Sequence, residues 1–333
     1  MGITIKELSE LSGYSTATIS RVISGRGNVK KETKEAIEKL LVEYNYRTNA
    51  VELRQKKTDG RIVMIIVGDL DNWYYMEIIR VMNRYILEQD LIPVITYSDN
   101  RIDLEEKYVR MDLLKRYAGI LFMNVRGSDR LREILETNRC PAVFLNRGLK
   151  QSSFDTVCND NYHGGYQATA YLISRGHKRI GHLTGSQYSN AAVERKRGYE
   201  DAMHDCGLVV TENSILPGDL NYKSGYQCGE EIVKSGRDFT ALFCGNYQMM
   251  EGVLDAFADY GVQVPEDISV VCFDETPTTK RKGITTVCAD PGKMGMTAVK
   301  LLVDRMKDGE KAPSAVYIET KMRLRESVKD LNR

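Results

Sequence analysis

From Arg61 onward, short apolar runs rich in β-branched residues alternate with amphipathic stretches of helical period. The runs Ile62–Val67, 92–96, 119–122, Ala142–Leu145, Ile180–Leu183, Ala241–Cys244 and Ser269–Phe273 read as buried strands, with helical patterns such as 76–88 and 162–175 between them. Strands that are apolar on both faces and separated by helices predict parallel sheets covered on each side. Some 270 residues of this alternation suit two doubly wound lobes better than one. In open sheets of this kind a ligand sits beyond the carboxyl ends of the strands. The loops there carry Asp69, Asn72, Trp73, Tyr74 and Tyr75 after the first strand, Asn146 and Arg147 after a middle one, and Asn246 and Asp274 after later ones. Aromatic rings flanked by Asp, Asn and Arg can stack on a sugar ring and bind its hydroxyls; the same groups also suit nucleobases.

The first 58 residues differ in charge from the rest. They hold 11 Lys/Arg against 7 Asp/Glu, a balance of +4, while the remainder holds 36 against 39, a balance of −3; the whole-chain charge of +1 conceals both. No acidic residue lies between Glu10 and Glu32, and Arg21, Arg26, Lys30 and Lys31 all do. A field of one sign over so short a stretch suits phosphate contact. Within it, Thr4 can cap a helix with Ile5, Leu8 and Leu11 at helical spacing. Gly13 breaks that helix, and Ser15 can cap a second carrying Ile19, Val22 and Ile23. Residues 31–44, with Ala36, Ile37, Leu40 and Leu41 on one side, supply a third helix. Two helices joined by a glycine turn form a helix-turn-helix, whose second helix enters the major groove. Thr16, Ala17 and Arg21 are its outward candidates for base edges: Arg21 for guanine, Ala17 for a thymine methyl. Ser15, Thr18, Ser20 and Asn28 suit phosphate positioning.

The stretch Thr4-Ile5-Lys6-Glu7-Leu8-Ser9-Glu10-Leu11-Ser12-Gly13-Tyr14-Ser15-Thr16-Ala17-Thr18-Ile19-Ser20-Arg21-Val22 closely resembles the head of LacI/GalR-family transcriptional regulators. The likeness continues through Gly176-His177-Lys178-Arg179-Ile180-Gly181, Arg195-Lys196-Arg197-Gly198-Tyr199 and Val264-Pro265-Glu266-Asp267-Ile268-Ser269-Val270-Val271-Cys272-Phe273-Asp274. It implies an all-α head at 1–46, a hinge helix or linker at 47–60, and an effector-binding and dimerisation body at 61–333. The body would form two lobes of periplasmic-binding-protein type, one from about 61–160 and 291–320, the other from about 161–290 and 321–333. By position it implies that Arg195, Asn246 and Asp274 contact the effector, with Asn146, Arg147, Leu220 and the Trp73–Tyr75 loop around them. His177 falls at a structural strand-entry position of the family.

Five departures matter. Tyr247 stands where the family has an aspartate, Met250 where it has alanine, and Cys272 where it has glycine, so the identity of the effector does not transfer. In the linker the family's Pro-Asn pair becomes Thr48-Asn49, and its leucine that wedges into the minor groove becomes Gln55. Leu53 lies two residues early, about 200° around a helix. An amide does not unstack a base step as an apolar wedge does, so a weaker or differently achieved kink is expected.

Other classes find no support in these residues. The longest apolar runs fall far below the ~18 residues that span a bilayer, and the N-terminus has no signal-peptide core, so a cytoplasmic, nucleoid-associated protein is expected. Seven scattered cysteines with no Cys-x-x-Cys pair read as reduced thiols. There is no phosphate-binding glycine loop, no Gly-x-Ser-x-Gly elbow and no metal spacing among the four histidines. The expectation is therefore a regulator, not an enzyme, without cofactor or metal. It would bind double-stranded operator DNA as a homodimer, most simply as a repressor, under control of a sugar-like effector. A nucleobase sensor or an activator of the same architecture, and a cytosolic sugar-binding or sugar-processing α/β protein with a helical interaction module, are the alternatives.

Overall fold

The computed structural model describes residues 5–24, 29–43, 60–147, 154–187, 189–236, 238–309 and 311–332. Helices α1 (Ile5–Ser12), α2 (Thr16–Ser24) and α3 (Lys31–Glu43) pack around Leu8, Ile19 and Ile37, flanked by Ile5, Tyr14, Val22, Leu40 and Leu41. Gly13, at φ +73°, stops α1 and donates its N–H to the Ser9 carbonyl at 3.1 Å. The Ser15 hydroxyl then accepts the Thr18 N–H at 3.2 Å and opens α2. Leu11, expected in this core, is 59% exposed. Ile5 and Leu8 already span the packed face of so short a helix, and its last turn is left uncovered.

Six parallel strands form the sheet of the first lobe: β1 (Ile62–Val67), β2 (Ile92–Tyr97), β3 (Tyr117–Met123), β4 (Ala142–Leu145), β5 (Asp155–Asn159) and β11 (Ala315–Ile318), in the order β2-β1-β3-β4-β5-β11. The second lobe repeats that order with β6 (Ile180–Leu183), β7 (Ile215–Leu216), β8 (Ala241–Cys244), β9 (Ser269–Phe273), β10 (Thr285–Ala289) and β12 (Thr320–Arg323), as β7-β6-β8-β9-β10-β12, where only β12 runs antiparallel. Helices α4 (Trp73–Glu88), α5 (Ile102–Tyr108), α6 (Met111–Leu114), α7 (Asp129–Thr137) and α13 (Pro291–Lys307) accompany the first sheet. Helices α8 (Asn161–Ser174), α9 (Asn190–Asp205), α10 (Tyr222–Ser235), α11 (Tyr247–Asp259) and α12 (Pro277–Arg281) accompany the second. The chain passes between the sheets three times, from β5 to α8, β10 to α13 and β11 to β12. In each sheet the strand order reverses beside β1 and β6, which aims the loops after the strands of both sheets at a shared crevice.

The central strands are buried, as their unbroken apolar runs require. The run at 92–96, expected to be buried, is not: β2 is an edge strand on which Ile92, Val94, Ile95 and Tyr97 are between 37% and 48% exposed. An apolar edge of this kind is a template for pairing or packing with another chain.

Helix pairs α8–α9 and α10–α11 are built alike. Tyr162 and Tyr166 donate their hydroxyls to Asp201 and Asp205 at 2.9 and 3.1 Å, and Tyr222 and Tyr226 donate theirs to Asp255 and Asp259 at 2.9 and 2.7 Å. A Cβ on Gly198 would collide with the Tyr162 carbonyl, and one on Gly252 with the Tyr222 carbonyl. Tyr162, Gly165 and Tyr166 have the spacing of Tyr222, Gly225 and Tyr226, and Gly198, Asp201 and Asp205 that of Gly252, Asp255 and Asp259, so the second lobe contains a repeated helix–strand–helix unit.

Two histidines are structural. His177 bridges the Thr240 hydroxyl and the Lys329 carbonyl at 3.0 and 3.1 Å, as its family position implied. His182 on β6 is fully buried between Phe243 and Tyr199, with ring centroids 4.6 and 5.1 Å away, and burial pushes its pKa down to about 4. A histidine depressed in the folded state stabilises fully above its ordinary value of 6.5, and that contribution is lost as pH falls through the folded value. Urea unfolding should therefore show a loss of up to roughly 3 kcal/mol between pH 6.5 and 4 traceable to this ring. His182→Gln should flatten that part of the profile; an unchanged profile would assign the loss elsewhere. All seven cysteines are free, with only Cys206 exposed.

Candidate effector cleft and DNA-reading face

On α2 the buried Ile19 and half-buried Val22 face the head's core, which leaves Thr16, Ala17, Ser20 and Arg21 exposed together on the other side. This is the arrangement needed to lay a helix in a groove 12 Å wide and reach its base edges, a width taken from B-form DNA at roughly that value. Ser15 and Thr18 lie with their hydroxyls 2.8 Å apart and already serve the start of α2. Thr4, Asn28, Asn49 and Gln55 lie outside the described residues.

Between the lobes a cavity of about 100 Å³ is lined from both sheets. Ten of the eleven expected effector residues are on its wall: Asp69, Asn72, Tyr74, Tyr75, Asn146, Arg147, Arg195, Leu220, Asn246 and Asp274. Trp73 is the exception. Its side chain is 39% exposed and lines an adjoining cavity of about 570 Å³ with Glu77, Lys280 and Arg323. Successive residues on a helix are turned by about 100°, so three aromatics in a row at the start of α4 cannot all face one way.

The wall is made by strand ends under strain. Asn124, Asn146 and Asp274 directly follow β3, β4 and β9, and each has positive φ, at 52°, 63° and 75°. Asn and Asp tolerate this region better than most residues, and here it turns their side chains into the crevice. Leu220, at φ 59°, is held by the Asn246 amide, which donates to its carbonyl at 2.8 Å. The Asn246 side chain also accepts the Met249 N–H at 3.0 Å as the cap of α11, so part of its hydrogen-bonding capacity is spent on positioning. Asn72 does the same for α4 through the Tyr74 N–H at 3.0 Å.

Two buried charges dominate. Arg195 donates Nε–H to Asn161 at 2.9 Å, donates from Nη1 to the Gly245 carbonyl, and lies over the Phe273 ring with its guanidinium carbon 3.4 Å from the centroid. Burial lowers its pKa, and the neighbouring Asp274 acts in the opposite sense. Asp274 is 5% exposed, and its carboxylate accepts no hydrogen bond among the described residues. Burial raises its pKa and Arg195 opposes the rise. The Asn146 amide nitrogen is buried with no partner. The crevice thus holds a carboxylate and an amide without protein partners beside an oriented guanidinium, which is a set of groups left for a ligand's polar atoms. Tyr74 and Tyr75 keep their hydroxyls neutral, because burial raises both pKa values. The Tyr74 hydroxyl donates to Asn159 at 2.9 Å.

Sequence reasoning missed Asn124, Asn159, Asn161, Ser189, Asn190 and Gln248, all on the same wall. For Asn124 and Asn159 a signal existed: each closes or follows a strand as Asn146 does. The others sit at helix starts, where Asn and Ser read first as caps. Among the described residues no group of three or more His, Cys, Asp and Glu is placed to hold a metal, and no helix is long and apolar enough to cross a membrane.

Residues 4–49 match the family described as bacterial regulatory proteins, lacI family, and residues 169–328 match the periplasmic binding protein-like domain. The HTH-type transcriptional repressor PurR of Vibrio atlanticus (strain LGP32) is 30% identical over 332 residues, covering 99% of each chain. The structure of a transcriptional regulator CelR–cellobiose complex superimposes with a TM-score of 0.72 at 27% identity, over 98% of this chain and 99% of that one. Transcription regulator CcpA of Lactococcus lactis gives 0.74 at 25% identity, over 80% of this chain and 99% of its own. With a helix-turn-helix at its head and a full-length likeness to these regulators, the chain belongs to the LacI family and is a DNA-binding transcriptional regulator.

Proposed function

We propose that the protein is a repressor whose grip on operator DNA is set by a small polar effector, a sugar or sugar derivative, bound between the two lobes. The observation that carries this reading is the meeting of Asp274 and Asn146, at strand ends of the two sheets, with Arg195 of α9, and the hydrogen-bonding capacity left over there. Amides beside a buried carboxylate and a separate, oriented guanidinium suit a ligand rich in hydroxyls. The cellobiose held by the CelR structure supports the sugar class, and the PurR relative supports repression. Residues 1–46 form the DNA-binding domain, 47–60 the linker, and 61–333 the sensing and dimerising body. The exposed apolar edge of β2 is the surface that a second copy would cover, giving a homodimer that places two α2 helices on a two-fold operator in the cytoplasm. A ligand shifts the balance between two lobe arrangements only through its differential affinity for them, so the effector must bind one of them better.

Calorimetric titration with cellobiose, common monosaccharides and purine bases tests the ligand class. Saturable binding of a sugar, lost in Asn146→Ala, is the expected result. Binding of a purine base alone would move the effector to the nucleobase class, and binding that survives Asn146→Ala would place the site elsewhere.

A further inference from the structure

Tyr247 opens α11 in the second lobe, one residue after the cap Asn246. Its hydroxyl leaves that lobe: it accepts the Trp73 N–H at 2.9 Å and donates to the Asp71 carbonyl at 3.1 Å, both in the loop that starts α4 of the first lobe. The ring is 6% exposed and belongs to the apolar core of the second lobe with Val253, Phe257 and Met250, so the hydroxyl is a fixed point and not a waving side chain. Trp73 is the first residue of α4, and a first-turn N–H has no acceptor within its own helix. The Tyr247 oxygen supplies one from across the crevice. An aspartate at this position, as in the family pattern, could accept that N–H, but as a carboxylate it could not donate to a carbonyl; a phenol does both with one atom.

We propose that the Tyr247 hydroxyl is a clasp that ties the loop at Asp71–Trp73 to α11 and so fixes how far the two lobes stand apart. The cavity behind it, about 100 Å³, is small against the ~300–1,000 Å³ of ordinary ligand sites. Seating a sugar therefore requires the crevice to widen against the closure that the clasp sets. This regulatory meaning rests on the crevice being the effector site. The closure itself does not, and the experiment reads closure alone.

Trp73 is the only tryptophan of the chain, so full-length protein labelled with ¹⁵N-tryptophan shows a single tryptophan backbone amide, the donor in question. In ligand-free wild type this amide should exchange with solvent at least about tenfold more slowly than in a free peptide, the protection expected of one or two hydrogen bonds that must open together. Tyr247→Phe keeps the ring and removes the oxygen, and should speed exchange by about tenfold. Tyr260→Phe, which removes a hydroxyl bonded to Glu230 inside the second lobe, should leave it unchanged. A wild-type amide exchanging at the free-peptide rate overturns the clasp without reference to any variant. So does equal protection in wild type and Tyr247→Phe.

Discussion

Asp274→Asn is expected to weaken effector binding by roughly 10- to 150-fold while leaving the protein folded and its melting temperature no lower than that of wild type. A hydrogen bond to a charged group is worth about 1.5–3 kcal/mol, which sets that range. The asparagine keeps the size and one acceptor but loses the charge and the second acceptor oxygen. Stability should move the other way. Burial raises the Asp274 pKa, so folding favours the protonated acid: this stabilisation is full below the ordinary value of 3.8 and is lost as pH rises through the folded value. The ionised carboxylate is therefore carried at a cost, partly offset by Arg195. Groups held against stability in a crevice are a mark of binding sites. If thermal denaturation showed Asp274→Asn strongly destabilised with effector affinity intact, Asp274 would be a structural partner of Arg195 and not a ligand contact.

Arg21→Ala is expected to weaken operator binding by about 1–3 kcal/mol, roughly 5- to 150-fold, and to relax discrimination at one base pair. Arg21 is on the exposed side of α2, one turn from Ala17 and beside Ser20, where a bidentate contact to guanine is within the geometry of a recognition helix. Competition against operators substituted one base pair at a time separates two roles. A base contact gives loss of preference at a single position. Equal weakening at every sequence, with a shallower salt dependence, would make Arg21 a phosphate contact.

Much of this was legible in the residues because the physics that sets it is local or repetitive. Buried parallel strands announce themselves as unbroken apolar runs, so β1, β3, β4, β8 and β9 and the loops after them were placed in advance. The head was legible because Gly13 and the Ser15 cap mark its turn chemically. What stayed hidden depends on direction or on partners distant in sequence. Strand β2 reads as buried because apolarity does not say whether a neighbouring strand or another chain covers it. Trp73 reads as a cleft residue because the letters do not give the 100° steps of α4. Tyr247 was visible as a departure from the family pattern, yet its bonds reach 174 and 176 residues away, beyond any spacing rule. The duplicated Tyr, Gly and Asp positions of the second lobe escape a motif search because they are spread over two helices and a strand.

The central claim is that ligand in the crevice and DNA on α2 are coupled through the lobes. Fluorescence anisotropy of a labelled operator, titrated with wild-type protein and with Asp274→Asn at saturating and zero concentrations of the sugar found by calorimetry, measures that coupling directly. The account predicts an operator affinity that changes by about 5- to 150-fold with ligand in wild type, the usual span of 1–3 kcal/mol for allosteric coupling, and by far less in Asp274→Asn at the same ligand concentration. An operator affinity that stays constant while the crevice of wild type is saturated would contradict it.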